Sequence, residues 1–274
     1  MAIASLPTVN WLRMPRGGRA GTDEDPAPGH PLRTVLDAAV LAGFRAVGLD
    51  MYSVGGGAGF PAAAAALSER HLACTEVGVL TIGDGRGPVR AEELGQLASE
   101  VGAALCVTVF GDVWPADAVG ELRRCATILA ASDVRLALEF VPYHSLRTLS
   151  SAIELCAAVG WERCALQLDS WHFFNSDEPW HLLSTLSSEQ IALLQLSDSL
   201  PRAGSDLRYE GRFRRALPGE GVSDIARFIR SVRSTGFDGV VSAEVLSAPL
   251  REQTPDAAAR SLMASLVACW SDVQ

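Results

Sequence analysis

The sequence predicts an α/β fold, one (β/α)8 barrel of the TIM type spanning residues 1–274. Three observations predict it. Short apolar runs alternate with longer helical patterns, the rhythm of βαβ units and a parallel sheet. The runs are apolar on both faces, as strands covered by helices must be. The 274 residues match a complete barrel and can bury a core without disulfides. No linker or compositional break divides the chain, and the competing fold is an open doubly wound sheet.

In order, Thr8-Val9-Asn10-Trp11 reads as the first strand. The polar, Gly/Pro-rich stretch 15–31 follows, long enough for a lid or a disordered loop. A helix over 32–41 leads to a strand at 46–50, then a helix from Pro61 to Arg70 and a strand at 73–80. A helix over 92–101 precedes the strand 105–110, and Trp114-Pro115 opens the next helix. The fifth strand is 136–140. Ser151 and Glu154 fit a capping box at a helix start, and Gly160 its end. Strands follow at 164–168 and 191–196, then a helix over 222–234 and the strand 239–245. A helix over 255–268 closes the chain.

Composition narrows the function. The chain is 48% apolar and 20% charged with a net charge of −9, which argues against a nucleic-acid surface, since that needs Lys and Arg opposite phosphates. The six cysteines form no CxxC pair and several sit in apolar runs, so they read as buried thiols of a reducing cytoplasm. No signal peptide is recognisable, and no apolar run is long enough for a membrane helix. Gly55-Gly56-Gly57-Ala58-Gly59 follows a strand but fails as a dinucleotide fingerprint: Phe60 or Ala62 stands where the last glycine is required. It reads as a flexible βα loop.

Four oxygen-bearing residues fall at or near strand ends: Glu139, Asp169, Gln195 and Glu244. They are 30, 26 and 49 residues apart, the first two intervals being one βα unit each. Parallel strands bring their C-terminal ends together, so these groups converge. Buried carboxylates repel, and a divalent cation is the simplest compensation. An all-oxygen donor set favours Mn2+ or Mg2+, with Co2+ or Zn2+ also admissible.

The pieces Leu138-Glu139, Asp169-Ser170-Trp171-His172, Gln195-Leu196-Ser197-Asp198, Arg215-Ala216-Leu217-Pro218-Gly219-Glu220-Gly221 and Ala243-Glu244 together resemble the xylose-isomerase-like TIM-barrel superfamily, which includes sugar and sugar-phosphate isomerases and epimerases. The match covers the C-terminal half; the first half agrees only in βα rhythm. The resemblance implies that Glu139, Asp169, Gln195 and Glu244 bind one metal. It implies that Glu139 and Glu244 also shuttle a proton beside a carbonyl of a small polyhydroxylated substrate. His172 would be catalytic, touching substrate oxygens, and Arg215 would bind a substrate hydroxyl or anionic group. His144, on the loop after the Glu139 strand, is a further substrate-binding candidate.

Gln195 departs from the pattern, because many members have His there. It resembles the dehydratase branch, such as 3-dehydroshikimate dehydratases, which begin with the same proton abstraction and then expel hydroxide. An isomerase and a lyase are therefore both open. Endonuclease IV, of the same superfamily, uses a His-rich three-zinc site that five histidines and an acidic chain do not suit. A barrel that only binds ligands also fits the sequence. Asp198 is expected to hold Arg215 or a helix N-terminus. Barrels of this type often pair near the mouth, so a homo-oligomer stays open.

Overall fold

Valine, leucine and isoleucine dominate the short runs, and β-branched and apolar side chains suit a pleated strand buried on both faces. They form a closed barrel of eight parallel strands in a computed structural model that describes residues 2–14 and 26–271. The strands are β1 Ile3–Pro7, β2 Ala46–Asp50, β3 Ala73–Ile82, β4 Leu105–Phe110, β5 Arg135–Glu139, β6 Cys164–Asp169, β7 Ile191–Leu196 and β8 Val240–Ala243. Neighbours in sequence pair in space, and β1 closes the ring against β8, with Ile3 opposite Val240.

A helix follows each strand: α1 Leu32–Ala42, α2 Phe60–Ser68, α3 Gly87–Val101, α4 Ala118–Ala130, α5 Leu149–Val159, α6 His181–Thr185, α7 Ile225–Arg233 and α8 Pro255–Ser271. The longer ones bury an apolar stripe. On α7, Ile225, Phe228, Ile229 and Val232 are buried, at the i, i+3, i+4, i+7 spacing of one helix face. Burying side chains of this size stabilises the fold by about 1.5–3 kcal/mol each. Phe173, just after β6, packs on Phe228 with ring centroids 5.3 Å apart, so it belongs to this core.

Several elements differ from the sequence reading. The first strand is Ile3–Pro7, and Thr8–Trp11 is a 3-10 turn. Asn10 causes the turn: its side-chain amide donates to Ala243 O (2.7 Å) and accepts from Val245 N–H (2.7 Å), tying the turn to the end of β8. The helix expected at Trp114-Pro115 begins at Ala118, where Asp117 caps it by accepting from Gly120 N–H at 2.9 Å. The cap of α5 is Thr148, which accepts from Ser151 N–H at 3.3 Å; Ser151 is inside the helix, so the Ser151/Glu154 box is not the one used. Within the stretch 15–31, Ala27–Pro28 pairs antiparallel with Leu12–Arg13. Residues 15–25 lie outside the described residues, and the lid expectation falls there.

None of the six cysteines is in a disulfide, and five are buried. No helix among the described residues is long and apolar enough to cross a membrane.

Candidate active site

In a strand, alternate side chains point to opposite faces. In β5, β6 and β7 that alternation places Glu139, Asp169 and Gln195 on the inner face at the C-terminal mouth, with Glu244 immediately after β8. The strands are adjacent, and Asp169 and Gln195 are direct register partners. The structure therefore brings together the residues singled out in the sequence. Glu139, His144, His172, Gln195, Arg215 and Glu244 line one cavity of about 170 Å3. Asp169 lies against it with no solvent exposure.

Arg215 organises the charges. Its guanidinium donates to Asp169 Oδ2 at 2.7 Å, lies 3.7 Å from Glu244 Oε1, and donates through Nε to Gly211 O at 2.8 Å. Its Nη2 is 3.4 Å from His172 Nε2, and the group sits over the Trp171 ring at 5.3 Å. Burial alone would raise the Asp169 carboxyl, but Arg215 and the His172 N–H hold it below its ordinary 3.8. That N–H reaches Asp169 Oδ1 at 3.0 Å, so Asp169 is the cap of the short helix Ser170–Phe174. The Asp-x-x-His spacing is thus first a helix cap, and the cap points His172 at the mouth.

Glu139 and Glu244 behave oppositely to Asp169. Burial, reinforced by the charges of Asp169 and Glu244, holds Glu139 well above 4.5. Burial raises Glu244 to about 7 despite Arg215. His172, buried and beside Arg215, is lowered to about 3 and is neutral at neutral pH; burial and Arg208 lower His144 to about 4. His172 Nε2 is 3.6 Å from Glu139 Oε1.

The donor set suits a divalent cation. One atom each from Glu139, Asp169 and His172 lie within 4.8 Å of one another, and buried Glu139 Oε1 has no hydrogen-bond partner among the described residues. Gln195 is held in place: its Oε1 accepts from Gln167 Nε2 (2.9 Å), which leaves a second lone pair, and its Nε2 donates to Glu244 Oε2 (2.8 Å). The sequence reading had no part for Gln167.

Asp198 does not hold Arg215. Its carboxylate accepts from the backbone N–H of Gly219 (3.1 Å), Gly221 (2.9 Å) and Ser223 (3.0 Å), fastening the loop that carries Arg215. The Pro-Gly-x-Gly motif follows from this closeness, because a Cβ at Gly221 would stand 2.4 Å from Asp198 Oδ1. Asp198→Ala leaves three loop N–H groups without a charged acceptor. We expect a loss of about 2–3 kcal/mol, a Tm roughly 5–10 °C lower by calorimetry.

Sequence reasoning missed Glu76. It is an acid in the middle of β3, buried and lining the same cavity. The one signal was a lone carboxylate inside an apolar run.

A barrel with an acid cluster and one buried arginine at the mouth of its strands defines a class. Residues 36–269 match the xylose isomerase-like TIM barrel family, and the chain belongs to that family. It is similar to 3-dehydroshikimate dehydratase of Pseudomonas aeruginosa, 31% identical over 185 residues, covering 63% of this chain and 29% of that protein. It is also similar to inosose isomerase of Bacillus licheniformis, 27% identical over 132 residues, covering 47% of this chain and 46% of that one. The chain thus spans less than half the length of these curated relatives in the matched regions. The IolI protein with a bound zinc atom superposes with a TM-score of 0.84 at 16% identity, covering 99% of both chains, a likeness of fold.

Proposed function

We propose that the chain is a metal-dependent isomerase or epimerase that moves a proton at a carbon beside a carbonyl of a small polyhydroxylated compound. One observation carries this: buried Glu139 at the end of β5 and half-buried Glu244 just after β8 line one cavity together with His172 and Arg215. A carboxylate held beside a carbon next to a carbonyl can take its proton, and a second carboxyl group across the cavity can give one back. The pair sits on β5 and after β8, with room for a ligand between.

Glu139, Asp169, Gln195 and Glu244 would hold the ion, with His172 close to the first two. The bound ion would supply positive charge to stabilise an enediolate, and the oxygen-rich set favours Mn2+ or Mg2+. The remaining work belongs to the chain. Arg215 keeps Asp169 ionised and presents Nη2 toward the cavity wall. His172, neutral, can donate one ring N–H to a substrate oxygen. Burial of the set excludes water from the proton being moved.

A second reading is a dehydratase of the 3-dehydroshikimate type. Gln195 favours it, and so does the similarity to the Pseudomonas enzyme. Both readings start with the same proton, and only the lyase loses water.

Elemental analysis of wild type beside Glu244→Gln tests the ion. We expect about one divalent metal per chain in wild type and a large reduction in the variant. Chelation should abolish turnover, and adding Mn2+ or Mg2+ back should restore it. Because Arg215 still pairs with Asp169, chelation should lower Tm by only a few degrees. Inosose, 3-dehydroshikimate and ketoses, incubated in D2O, then separate the reactions. Deuterium beside the carbonyl without loss of water marks the isomerase, and dehydration marks the lyase. If neither protein takes up any metal after add-back, both readings fall.

A further inference from the structure

The segment between β7 and α7 carries five arginines, Arg202, Arg208, Arg212, Arg214 and Arg215, in a chain whose net charge is −9. Four of them have partners. Arg202 donates to Asn175 Oδ1 at 2.9 Å, Arg208 to Asp112 Oδ1 at 2.5 Å, Arg214 to Glu210 Oε2 at 2.9 Å and Arg215 to Asp169 Oδ2 at 2.7 Å. Arg212 is half-buried, and its guanidinium has no hydrogen bond or ion pair among the described residues. A cation partly withdrawn from water without a counter-charge favours an anion from outside.

The fold says where that anion would sit. Asp206 caps the helix Leu207–Phe213 by accepting from the N–H groups of Arg208 and Tyr209 at 3.0 and 3.1 Å. Arg208 and Arg212 stand four residues apart, on one face of this helix. That face lies over the mouth of the barrel. Arg208 Nη2 donates to Tyr143 O at 3.2 Å, its guanidinium lies 5.1 Å from the Tyr143 ring centroid, and a Cβ at Gly211 would stand 3.0 Å from Tyr143 Cε1. The charge of Arg212 accordingly acts on Tyr143 and His144, and both line the cavity. Tyr143 is held edge-on to the rings of His144 and His172, with centroids 5.0 and 6.0 Å away. Its hydroxyl makes no hydrogen bond among the described residues. A phenol on the cavity wall and a guanidinium on the helix above it are thus both uncommitted donors.

We propose that Arg212 and Tyr143 bind a carboxylate of the ligand, the guanidinium supplying the charge and the phenol a hydrogen bond. The substrate class is then a small hydroxylated carbonyl acid. The carbonyl part rests on the proposed function; the anion subsite does not. Glu76, Glu139 and Glu244 line the same cavity, so an anionic ligand needs a cation of its own to enter. Arg215 is buried and already engaged by Asp169, which leaves that part to Arg212. One guanidinium balances one negative charge and matches a carboxylate with two parallel N–H groups, whereas a phosphate dianion would leave a charge uncompensated near these acids.

Two pairs of probes test this by calorimetry on the full chain as purified: 3-dehydroshikimate beside its methyl ester, and D-glucuronate beside D-glucose. The members of each pair differ mainly in charge. Wild type should prefer the acid of at least one pair by roughly tenfold or more. Arg212→Gln should abolish that preference and Arg212→Lys should restore part of it. Tyr143→Phe should weaken binding of the acid by about three- to tenfold and leave the neutral member within about twofold. Arg212 has no side-chain bond for a variant to lose, so Arg212→Gln should keep the wild-type Tm. A wild type that prefers neither acid, or binds no probe, overturns the proposal. So does an Arg212→Gln variant that keeps the preference, which would put the carboxylate on the metal. Displacement of the bound acid by less inorganic phosphate than acetate assigns the subsite to phosphate and overturns the carboxylate. Acid binding that depends on Arg212 without turnover removes the proposed reaction and leaves the subsite standing. Turnover of a neutral compound, with Arg212→Gln as active as wild type on it and no acid preferred, removes the subsite alone.

Discussion

Glu139→Gln should remove catalysis and leave the barrel folded. The wild-type carboxyl is buried, crowded by Asp169 and Glu244, and keeps Oε1 without a hydrogen-bond partner among the described residues. A neutral amide of the same shape relieves that crowding, so thermal stability should be unchanged or slightly higher. The rate should fall by about 10²–10⁴, the usual worth of a general acid or base, and further if metal is lost as well. Measuring kcat, KM and metal content together separates the two effects. A variant that keeps its metal and loses less than about tenfold in rate is incompatible with Glu139 carrying the proton.

Arg215→Met should be the most destabilising single change at the site. Asp169 has no exposure and depends on the guanidinium at 2.7 Å for its charge. Removing one partner of such a pair costs about 3–5 kcal/mol, since the other charge stays buried alone. Asp169→Asn added to Arg215→Met should recover part of this, and a double-mutant cycle reads the coupling. The pH dependence has a definite sign. In wild type the folded Asp169 value lies below the ordinary 3.8. Its contribution is therefore present above that value and disappears only as the pH falls through the lower, folded one. Without Arg215 burial dominates, the folded value rises above the unfolded one, and the variant should gain stability on mild acidification. Urea unfolding of chelated protein at several pH values tests this. Parallel curves for wild type and variant would sink the assignment of Arg215 as the counter-ion.

Much of the site was legible because its residues stand where strands end. Glu139, Asp169 and Glu244 interrupt apolar runs at intervals of βα units, and that pattern survives without knowledge of packing. Glu76 and Gln167 were harder to see for a physical reason. Both faces of a barrel strand are buried, so alternation along β3 or β6 does not say which face is the interior. A polar residue in mid-strand shows its direction only once the ring is closed. The first strand was misplaced by a similar ambiguity. Thr8–Trp11 has the composition of a strand, but Asn10 bonds to the backbone at and just beyond the end of β8, 233 and 235 residues away. A contact so distant has no trace in local propensity. The Arg-x-x-Pro-Gly-x-Gly loop was recognisable as a motif, whereas its anchoring by Asp198 was visible only in three dimensions.

The mouth of the barrel is divided between its two halves. Strands β5 to β8, with the residues just after them, carry Glu139, Asp169, His172, Gln195 and Glu244; β2 to β4 contribute Gly48, Asp50, Glu76 and the valines of the opposite wall. Selection can therefore act on the two halves separately. Exchanging Val79, Val107 or Val109 reshapes what is admitted without disturbing the electrostatic balance around Asp169 and Arg215. A lineage could move from one hydroxylated compound to another through such changes while inheriting its proton chemistry intact, and a combinatorial library confined to these three valines would retrace that route in the laboratory.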